Sequence, residues 1–218
     1  QMCIRDRSYA GENILEMTKY FHENDNTRLV HYEGVFWNRE FNDISDIESR
    51  MYAKPNEIED YLKSNPKKPY ISCEYMHAMG NSCGGMNLYS ELEDKYQMYQ
   101  GGFIWDYIDQ AIETTDENGN KILAYGGDFN DRSTDYCFCT DGIIYADRTV
   151  SPKVQEVKYL YSNVKIVPDT EGILIKNNNL FVGTEEYDFI VYIEKEGKKI
   201  FQYTMDLSLI HISEPTRP

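Results

Sequence analysis

The alternation of strand-like and helix-like segments constrains the fold of this chain more than any other feature. Apolar residues at helical spacing occupy residues 8–24, and a short strand-like run follows at 27–32. Strands that alternate with helices predict a parallel sheet of the α/β class, in which functional groups gather where the strands end. The alternation continues to residue 106, with predicted strands at 47–52, 69–74 and 102–106 and predicted helices at 55–64 and 86–99.

The predicted strands end on polar and aromatic side chains, where packing alone favours branched aliphatic residues. Glu33 follows the first strand, and Tyr52 ends the second. Glu74 ends the third strand, and Trp105 lies in the fourth. In a (β/α)₈ barrel such strand ends meet at the C-terminal face, which carries the active site. These side chains therefore predict a functional site at that face.

The alternation stops after residue 111. Residues 112–149 form a polar connection that is longer than an ordinary loop, which favours a functional role. A last helix is predicted at 151–161, and it ends an α/β domain that covers residues 8–161.

The chain after residue 161 has a different, all-β pattern. Short β-branched and aromatic runs alternate with turns up to residue 206. Residues 188–194 and 199–205 are predicted to pair as a hairpin. The pattern predicts a partial β-sandwich domain at 162–206.

Charge and composition exclude several classes of function. The net charge of −15 at pH 7 argues against a nucleic-acid partner, because phosphate binding needs a basic face. Five cysteines at irregular positions predict neither a disulfide framework nor a zinc knuckle, and reduced thiols favour a cytoplasmic protein. The sequence contains no membrane-length apolar stretch and no signal-peptide pattern, so no membrane partner is expected.

Two interpretations of Glu74 are open from the residues alone. One is structural, because a lone carboxylate often forms a salt bridge or caps a helix. The other is chemical, because His77 follows three residues later and flat aromatic side chains stand at neighbouring strand ends. Retaining glycosidases use one carboxylate as nucleophile and a second, about 5–5.5 Å away, as acid and then base. An aromatic ring beside them offers a stacking face for a pyranose.

Three sequence runs carry a resemblance to a known family. They are CEYMHAMGNSCGG, QGGFIWDYIDQ and YGGDFNDRSTDYCFCTDGIIYADR. Together they resemble the bacterial β-galactosidases of glycoside hydrolase family 2, over residues 8–168. Related β-glucuronidases and β-mannosidases share the fold but lack the EY-x-HAMGNS run. The resemblance implies the C-terminal half of a (β/α)₈ TIM barrel, followed by the start of an immunoglobulin-like β-sandwich.

The resemblance also implies roles for the residues at the strand ends. Glu74 matches the nucleophile that forms the galactosyl-enzyme intermediate, and Tyr52 matches a tyrosine whose hydroxyl lies beside it. His77 matches a histidine that binds sugar hydroxyls, and Trp105 matches the floor of the galactose pocket. Glu33 matches a glutamate near the pocket whose role is not assigned. From the residues alone, packing explains the two aromatic side chains equally well.

Metal ions are implied in the same way. Phe138 and Asp141 fall where the family binds Na⁺ through a backbone carbonyl and a side-chain oxygen. The family often has Asn where this chain has Asp141, so the oxygen ligand is kept and a charge is added. Mg²⁺ is also expected in the parent enzyme, and the resemblance places its ligands, with the remaining sodium ligand, upstream of this chain.

One part of the implied active site is missing. The acid/base glutamate of the family lies in an N-E-S run, and the register through Glu33 places it at position 7, where this chain has Arg7. Residues 1–7 and 207–218 resemble translated sequencing adapter and are interpreted as non-native tails. The chain is therefore expected to be an inactive fragment of a larger enzyme.

For the parent enzyme, the resemblance implies hydrolysis of terminal β-D-galactose from β-galactosides such as lactose, in a homo-oligomer. Two alternatives stay open at this point. Another family 2 retaining glycosidase, such as a β-glucuronidase, differs in its response to a substrate panel. A non-catalytic carbohydrate-binding module binds sugar whether or not the Glu74 carboxylate is present.

Overall fold

The computed structural model describes residues 9–168, 170 and 172–205. They form two compact units, of which one ends at Leu160 and the other begins at Tyr161. Arg7 and the two predicted tails lie outside the described residues, and the domain assignment stays a prediction. None of the helices in the described part of the chain combines the length and the hydropathy of a membrane span.

The first unit is built on a three-stranded parallel sheet with helices between its strands. The strands are β1 (Glu48–Met51), β2 (Tyr70–Tyr75) and β3 (Tyr99–Ile104), paired in the order β1-β2-β3. This arrangement confirms the predicted α/β class. The helices of this unit are α1 (Glu12–Asn24), α2 (Pro55–Lys63), α3 (Asn87–Lys95) and α4 (Lys153–Leu160).

Helix α2 shows why these segments fold as they do. Pro55 opens the helix, where its missing N–H costs nothing, and the Glu57 carboxylate accepts a hydrogen bond from the Lys54 N–H at 2.8 Å. Ile58 and Leu62 lie one turn apart and are buried against the sheet. Burying such side chains contributes about 1.5–3 kcal/mol each. The helix therefore covers one face of the sheet and leaves the other face to the site.

Strand β2 contains an irregularity next to Glu74. Ser49 of β1 pairs with Ile71 of β2. Two residues further along β1, Met51 pairs with Glu74, which lies three residues further along β2. The same part of β2 also carries an extra residue relative to β3. Because side chains alternate along a strand, one inserted residue reverses the face on which later side chains lie.

The insertion determines the direction of Glu74. Tyr70 packs in a buried cluster with residues of α2 and α3, so the early part of β2 faces the helices. Tyr75 also packs against helical residues, in a second cluster that includes Val157 of α4. Tyr70 and Tyr75 are an odd number of residues apart, so a regular strand would place their side chains on opposite faces. The inserted residue places both side chains on the same face. Glu74, adjacent to Tyr75, therefore lies on the opposite face.

The strand predicted at residues 27–32 is wrong. The Val30 N–H donates to the Asp46 carboxylate at 2.8 Å, and the Tyr32 N–H donates to the Ser45 hydroxyl at 3.0 Å. These backbone N–H groups thus donate to side-chain oxygens, whereas in a strand they would donate to the backbone of a neighbouring strand. Two 3₁₀ helices follow, at Glu33–Phe36 and Arg39–Ile44.

The helix predicted at residues 86–99 is too long. It ends at Lys95, and the next residue, Tyr96, has extended backbone angles. Tyr99 opens β3 instead, where it is buried in the cluster between the sheet and α2 and α3. Apolar spacing alone does not separate the last turn of a buried helix from the first residues of a buried strand.

The polar connection at residues 112–149 contains structure that the sequence reasoning missed. Strands β4 (Ile112–Thr115) and β5 (Lys121–Ala124) form an antiparallel hairpin. The Asp116 carboxylate accepts hydrogen bonds from two backbone N–H groups of the turn, and Gly119 adopts a positive φ of 83°. Turn residues flanked by alternating apolar and polar positions are the signal that predicts such a hairpin. A 3₁₀ helix at Tyr136–Cys139 follows.

The second unit contains two antiparallel hairpins. Strand β6 (Val164–Pro168) pairs with β7 (Ile173–Asn177), and β8 (Phe189–Lys195) pairs with β9 (Lys198–Met205). The second hairpin confirms the one predicted from the sequence. Among the described residues each hairpin forms its own two-stranded sheet, so a sandwich stays a prediction.

The close contact between β2 and β3 generates a stability prediction. A Cβ added to Gly102 lies 2.8 Å from the Ser72 Cβ and 3.1 Å from the Ser72 carbonyl oxygen, whereas one added to Gly84 meets nothing within 4 Å. We expect Gly102→Ala to lower the free energy of unfolding by about 1–3 kcal/mol and Gly84→Ala to change it by under about 0.5 kcal/mol. Urea unfolding followed by circular dichroism measures both. Equal midpoints for the two variants contradict this register.

Candidate active site

Glu74 lies at the end of β2 and is only 5% exposed. Its backbone carbonyl accepts a hydrogen bond of 2.7 Å from the N–H of Tyr52, the residue that follows β1. Tyr52 has a positive φ of 53°, a conformation that is uncommon outside glycine. The two predicted catalytic residues are therefore joined through their backbones where two neighbouring strands end.

Three aromatic rings from separate segments stand together at these strand ends. The ring of His77 lies 5.9 Å from the ring of Tyr52 and 5.4 Å from the ring of Phe138, between centroids. His77 belongs to the loop after β2, and Phe138 belongs to the 3₁₀ helix at Tyr136–Cys139. The long connection at residues 112–149 thus places one of its side chains at these strand ends, and its functional role stays a prediction.

Asp141 connects Trp105 and His77. Its Oδ2 atom accepts a hydrogen bond from the indole N–H of Trp105 at 2.7 Å and lies 3.7 Å from Nε2 of His77. The Asp141 side chain is almost completely buried. Burial raises the pKa of Asp141, and the hydrogen bond from Trp105 only partly offsets this effect. The orientation of the indole ring is therefore set by a buried carboxylate.

A glycine allows Asp141 to approach Trp105 this closely. The Asp106 N–H donates to the Asp141 carbonyl at 2.7 Å, and the Gly142 N–H donates to the Asp109 carboxylate at 2.7 Å. A Cβ on residue 142 lies 2.2 Å from the Asp109 backbone nitrogen, which no real structure tolerates. Gly142 is thus required for the close contact between the two segments.

A partly buried polar chain near the strand ends was missed by the sequence reasoning. Nε2 of His31 lies 2.6 Å from the hydroxyl of Ser49, which also hydrogen-bonds the thiol of Cys73. Burial lowers the pKa of His31 and raises the pKa of Cys73 to about 11. Polar residues inside otherwise apolar strand segments are the signal that points to such a chain.

Glu33 lies close to this polar chain. It is half-buried at the start of a 3₁₀ helix, and its charge raises the pKa of both His31 and Cys73. The charge of Glu74 also raises the pKa of Cys73. The structure therefore brings Glu33 and Glu74 near one thiol, while the predicted roles of the site residues stay predictions.

The residues at the predicted sodium position fit a hard cation in one respect. Oδ1 of Asp141 is buried and makes no hydrogen bond within the described part of the chain. Phe138 lies three residues earlier, in a 3₁₀ helix beside the same site. For Mg²⁺, the described residues contain no cluster of three or more His, Cys, Asp or Glu side chains able to hold a metal.

Comparison with known proteins places this arrangement in a family. The family model described as "Glycosyl hydrolases family 2, TIM barrel domain" matches residues 3–166. The described unit is thus part of the α/β barrel of a glycoside hydrolase. The chain belongs to glycoside hydrolase family 2.

The curated relatives of this chain are much longer than the chain itself. A β-galactosidase of Halalkalibacterium halodurans is 61% identical over 202 residues, which are 93% of this chain and 20% of that protein. A β-galactosidase of Clostridium acetobutylicum is 62% identical over 204 residues, which are 94% of this chain and 23% of that protein. The chain thus spans between a fifth and a quarter of the length of these relatives.

The solved structures that resemble the chain are more distant. A glycosyl hydrolase family 2 member from Bacteroides cellulosilyticus has a TM-score of 0.47 and 16% sequence identity. The alignment covers 88% of this chain and 25% of that structure.

The partly buried position of Cys73 near the site generates a prediction about thiol reactivity. With a pKa of about 11, the thiolate fraction at pH 8 is about one in a thousand. We expect iodoacetamide at pH 8 to alkylate the exposed Cys137 and to leave Cys73 unmodified. Peptide mass spectrometry measures the extent of alkylation at both cysteines. As a control, both cysteines are expected to react alike when the protein is unfolded in urea. Equal labelling in native buffer contradicts the raised pKa of Cys73.

Proposed function

We propose that this chain is the nucleophile-bearing part of a retaining β-galactosidase that acts on β-galactosides such as lactose. The observation that carries the proposal is the position of Glu74. It is a buried carboxylate at the end of β2, on the face away from the helices, and it lies within the EYMHAMGNS run. The relatives named β-galactosidase support the choice of galactose as the sugar.

The proposed reaction has two displacements at the anomeric carbon. An oxygen of Glu74 attacks this carbon while the bond to the leaving-group oxygen breaks, and an acid protonates that oxygen. The product is a galactosyl-enzyme ester. A water molecule, deprotonated by the same group acting as base, then attacks the anomeric carbon and releases Glu74 as a carboxylate. Two inversions give galactose with retained configuration.

The acid/base residue is proposed to be the glutamate that the family has at position 7, outside the described residues. General acid–base catalysis contributes about 10²–10⁴-fold to such reactions. A chain with arginine there lacks this contribution, since a guanidinium stays protonated at neutral pH. The acid/base residue therefore has to come from the complete enzyme.

The remaining site residues are proposed to hold the sugar. Trp105 offers a flat face, and the hydrogen bond from its indole N–H to Asp141 keeps that face in one orientation. His77 stands beside Tyr52 at the end of β1, where a ring nitrogen reaches sugar hydroxyls. The Tyr52 hydroxyl is proposed to lie beside the nucleophile. Glu33 is proposed as a further substrate-binding residue near the pocket.

Several properties of the whole enzyme are part of the proposal. Sodium is proposed to bind the Phe138 carbonyl and the buried Oδ1 atom of Asp141, and Mg²⁺ is proposed to bind residues outside this chain. The two hairpins of the second unit are proposed to belong to an immunoglobulin-like sandwich, since their exposed apolar side chains need a second layer. A cytoplasmic homo-oligomer is proposed as well, and the free thiols of the described chain support a reducing compartment.

Covalent trapping tests the nucleophile. In the full-length enzyme, a 2-deoxy-2-fluoro-β-galactoside with a good leaving group is expected to label Glu74, because the fluorine slows breakdown of the glycosyl-enzyme. Glu74→Gln is expected to abolish labelling and hydrolysis, while the matched change Glu156→Gln on an exposed position of α4 leaves both intact. Peptide mapping identifies the labelled residue. A label on another carboxylate refutes the assignment, and labelling by the glucuronide analogue instead favours a β-glucuronidase.

Ion replacement tests the sodium site. The activity of the full-length enzyme is expected to fall when Na⁺ is replaced by tetramethylammonium at equal ionic strength, because a large organic cation cannot enter an oxygen-lined site. Asp141→Ala is expected to remove this dependence. Asp147→Ala on an exposed loop is the control and is expected to retain it. Activity of the unmodified enzyme that is indifferent to the cation contradicts the proposal.

A further inference from the structure

The loop that carries His77 has an unfavourable backbone conformation. Between residues 76 and 83, three residues adopt positive φ angles: Met76 at 53°, Gly80 at 63° and Cys83 at 65°. Two of these residues are not glycine, and a side chain at positive φ is energetically unfavourable. A loop of this kind keeps its shape only when the surrounding structure holds it.

One hydrogen bond within the loop and contacts to two other segments of the first unit hold it in place. The Ala78 N–H donates to the carbonyl of Trp105 at 2.7 Å, and the Cys83 thiol donates to the carbonyl of Met76 at 3.4 Å. The third contact comes from α4. The Lys153 ammonium donates to the carbonyl of Ala78 at 2.5 Å and to the carbonyl of Gly80 at 3.3 Å.

The position of Lys153 in its own helix indicates that its charge stabilises the loop and not the helix. Lys153 is the first residue of α4, and a cation at a helix N-terminus is disfavoured by the helix dipole. Within the described part of the chain, Lys153 forms no ion pair with a carboxylate. Its ammonium instead binds the two carbonyls of the loop, and hydrogen bonds from a charged donor are the stronger kind.

We propose that Lys153 is a positioning residue that holds His77 in the sugar-binding site. The inference rests on the proposed function for its consequence in catalysis. Ala78, whose carbonyl Lys153 binds, is completely buried and directly follows His77 in the chain. Any shift of Ala78 therefore moves His77 relative to the rings of Tyr52 and Phe138 that flank it.

The role of His77 determines which kinetic constant changes. A residue that contacts sugar hydroxyls in both the bound substrate and the transition state contributes uniform binding, whose loss raises KM and leaves kcat nearly unchanged. Loss of Lys153 is expected to act in this way. Loss of a lysine that only stabilises the fold has a different effect. It lowers the amount of active enzyme, and so the apparent kcat, and leaves KM unchanged.

The experiment compares three variants of the full-length enzyme. Lys153→Met keeps the length of the side chain and removes the donor, Lys153→Arg keeps the charge, and Lys158→Met is the control on an exposed position of the same helix. For Lys153→Met we expect KM for a β-galactoside to rise about tenfold, the change that one charged hydrogen bond produces, with kcat within about threefold. Lys153→Arg is expected to recover most of the loss, and Lys158→Met to match the unmodified enzyme.

Hydrogen exchange provides a readout that does not require activity. Mass spectrometry of the peptide containing residues 76–83 is expected to show faster amide exchange in Lys153→Met than in Lys158→Met or the unmodified enzyme. Faster exchange together with a raised KM supports the inference. Unchanged exchange and KM overturn it, and so does a loss confined to kcat with equal exchange throughout the protein.

Two further outcomes separate this inference from the proposed function. If Lys153→Met does not fold, Lys153→Arg decides: a KM and an exchange rate near those of the unmodified enzyme support the inference, and a failure to fold overturns it. If the unmodified enzyme does not hydrolyse β-galactosides, the proposed function fails. Faster loop exchange in Lys153→Met then still supports the positioning of His77, and equal exchange overturns it.

Discussion

The geometry of the candidate site depends on the parallel pairing of β1, β2 and β3 and on the residue that β2 inserts before Tyr75. Parallel pairing brings the ends of the three strands to one edge, which places Tyr52, Glu74 and Trp105 together. The insertion turns Glu74 away from the helix-covered face on which Tyr70 and Tyr75 pack. Without it, regular alternation from Tyr70 directs Glu74 toward the helices, where a carboxylate is costly to bury and has no access to a sugar.

Polar contacts then hold the side chains around Glu74. Asp141 fixes the indole of Trp105 and lies near His77, at the cost of burying a carboxylate. Lys153 holds the loop after β2 through two backbone carbonyls. These groups come from segments far apart in the chain, so the site is assembled from several loops on one rigid sheet, the usual arrangement in barrel enzymes.

The fold was predictable where local pattern and tertiary contacts agree. Helix α2, with its opening proline and buried Ile58 and Leu62, forms where its spacing predicts. The segment at residues 27–32 has strand-forming composition, yet the carboxylate of Asp46 and the hydroxyl of Ser45 take its backbone hydrogen bonds. The hairpin of β4 and β5 was missed because its strands are short and mostly exposed, so they carry little apolar signal.

The sequence by itself determined the α/β class, since helix and strand periods are local properties of the chain. It also placed Tyr52, Glu74 and Trp105 at the ends of strands, and the EYMHAMGNS run singled out Glu74 and His77. Only the tertiary structure decided that Glu74 faces away from the helices, that Asp141 binds the Trp105 indole, and that Lys153 binds the loop of His77. The Asp141 and Lys153 contacts join residues 36 and 75 positions apart. No local pattern specifies such partners, because they meet only after the strands pair and the helices pack.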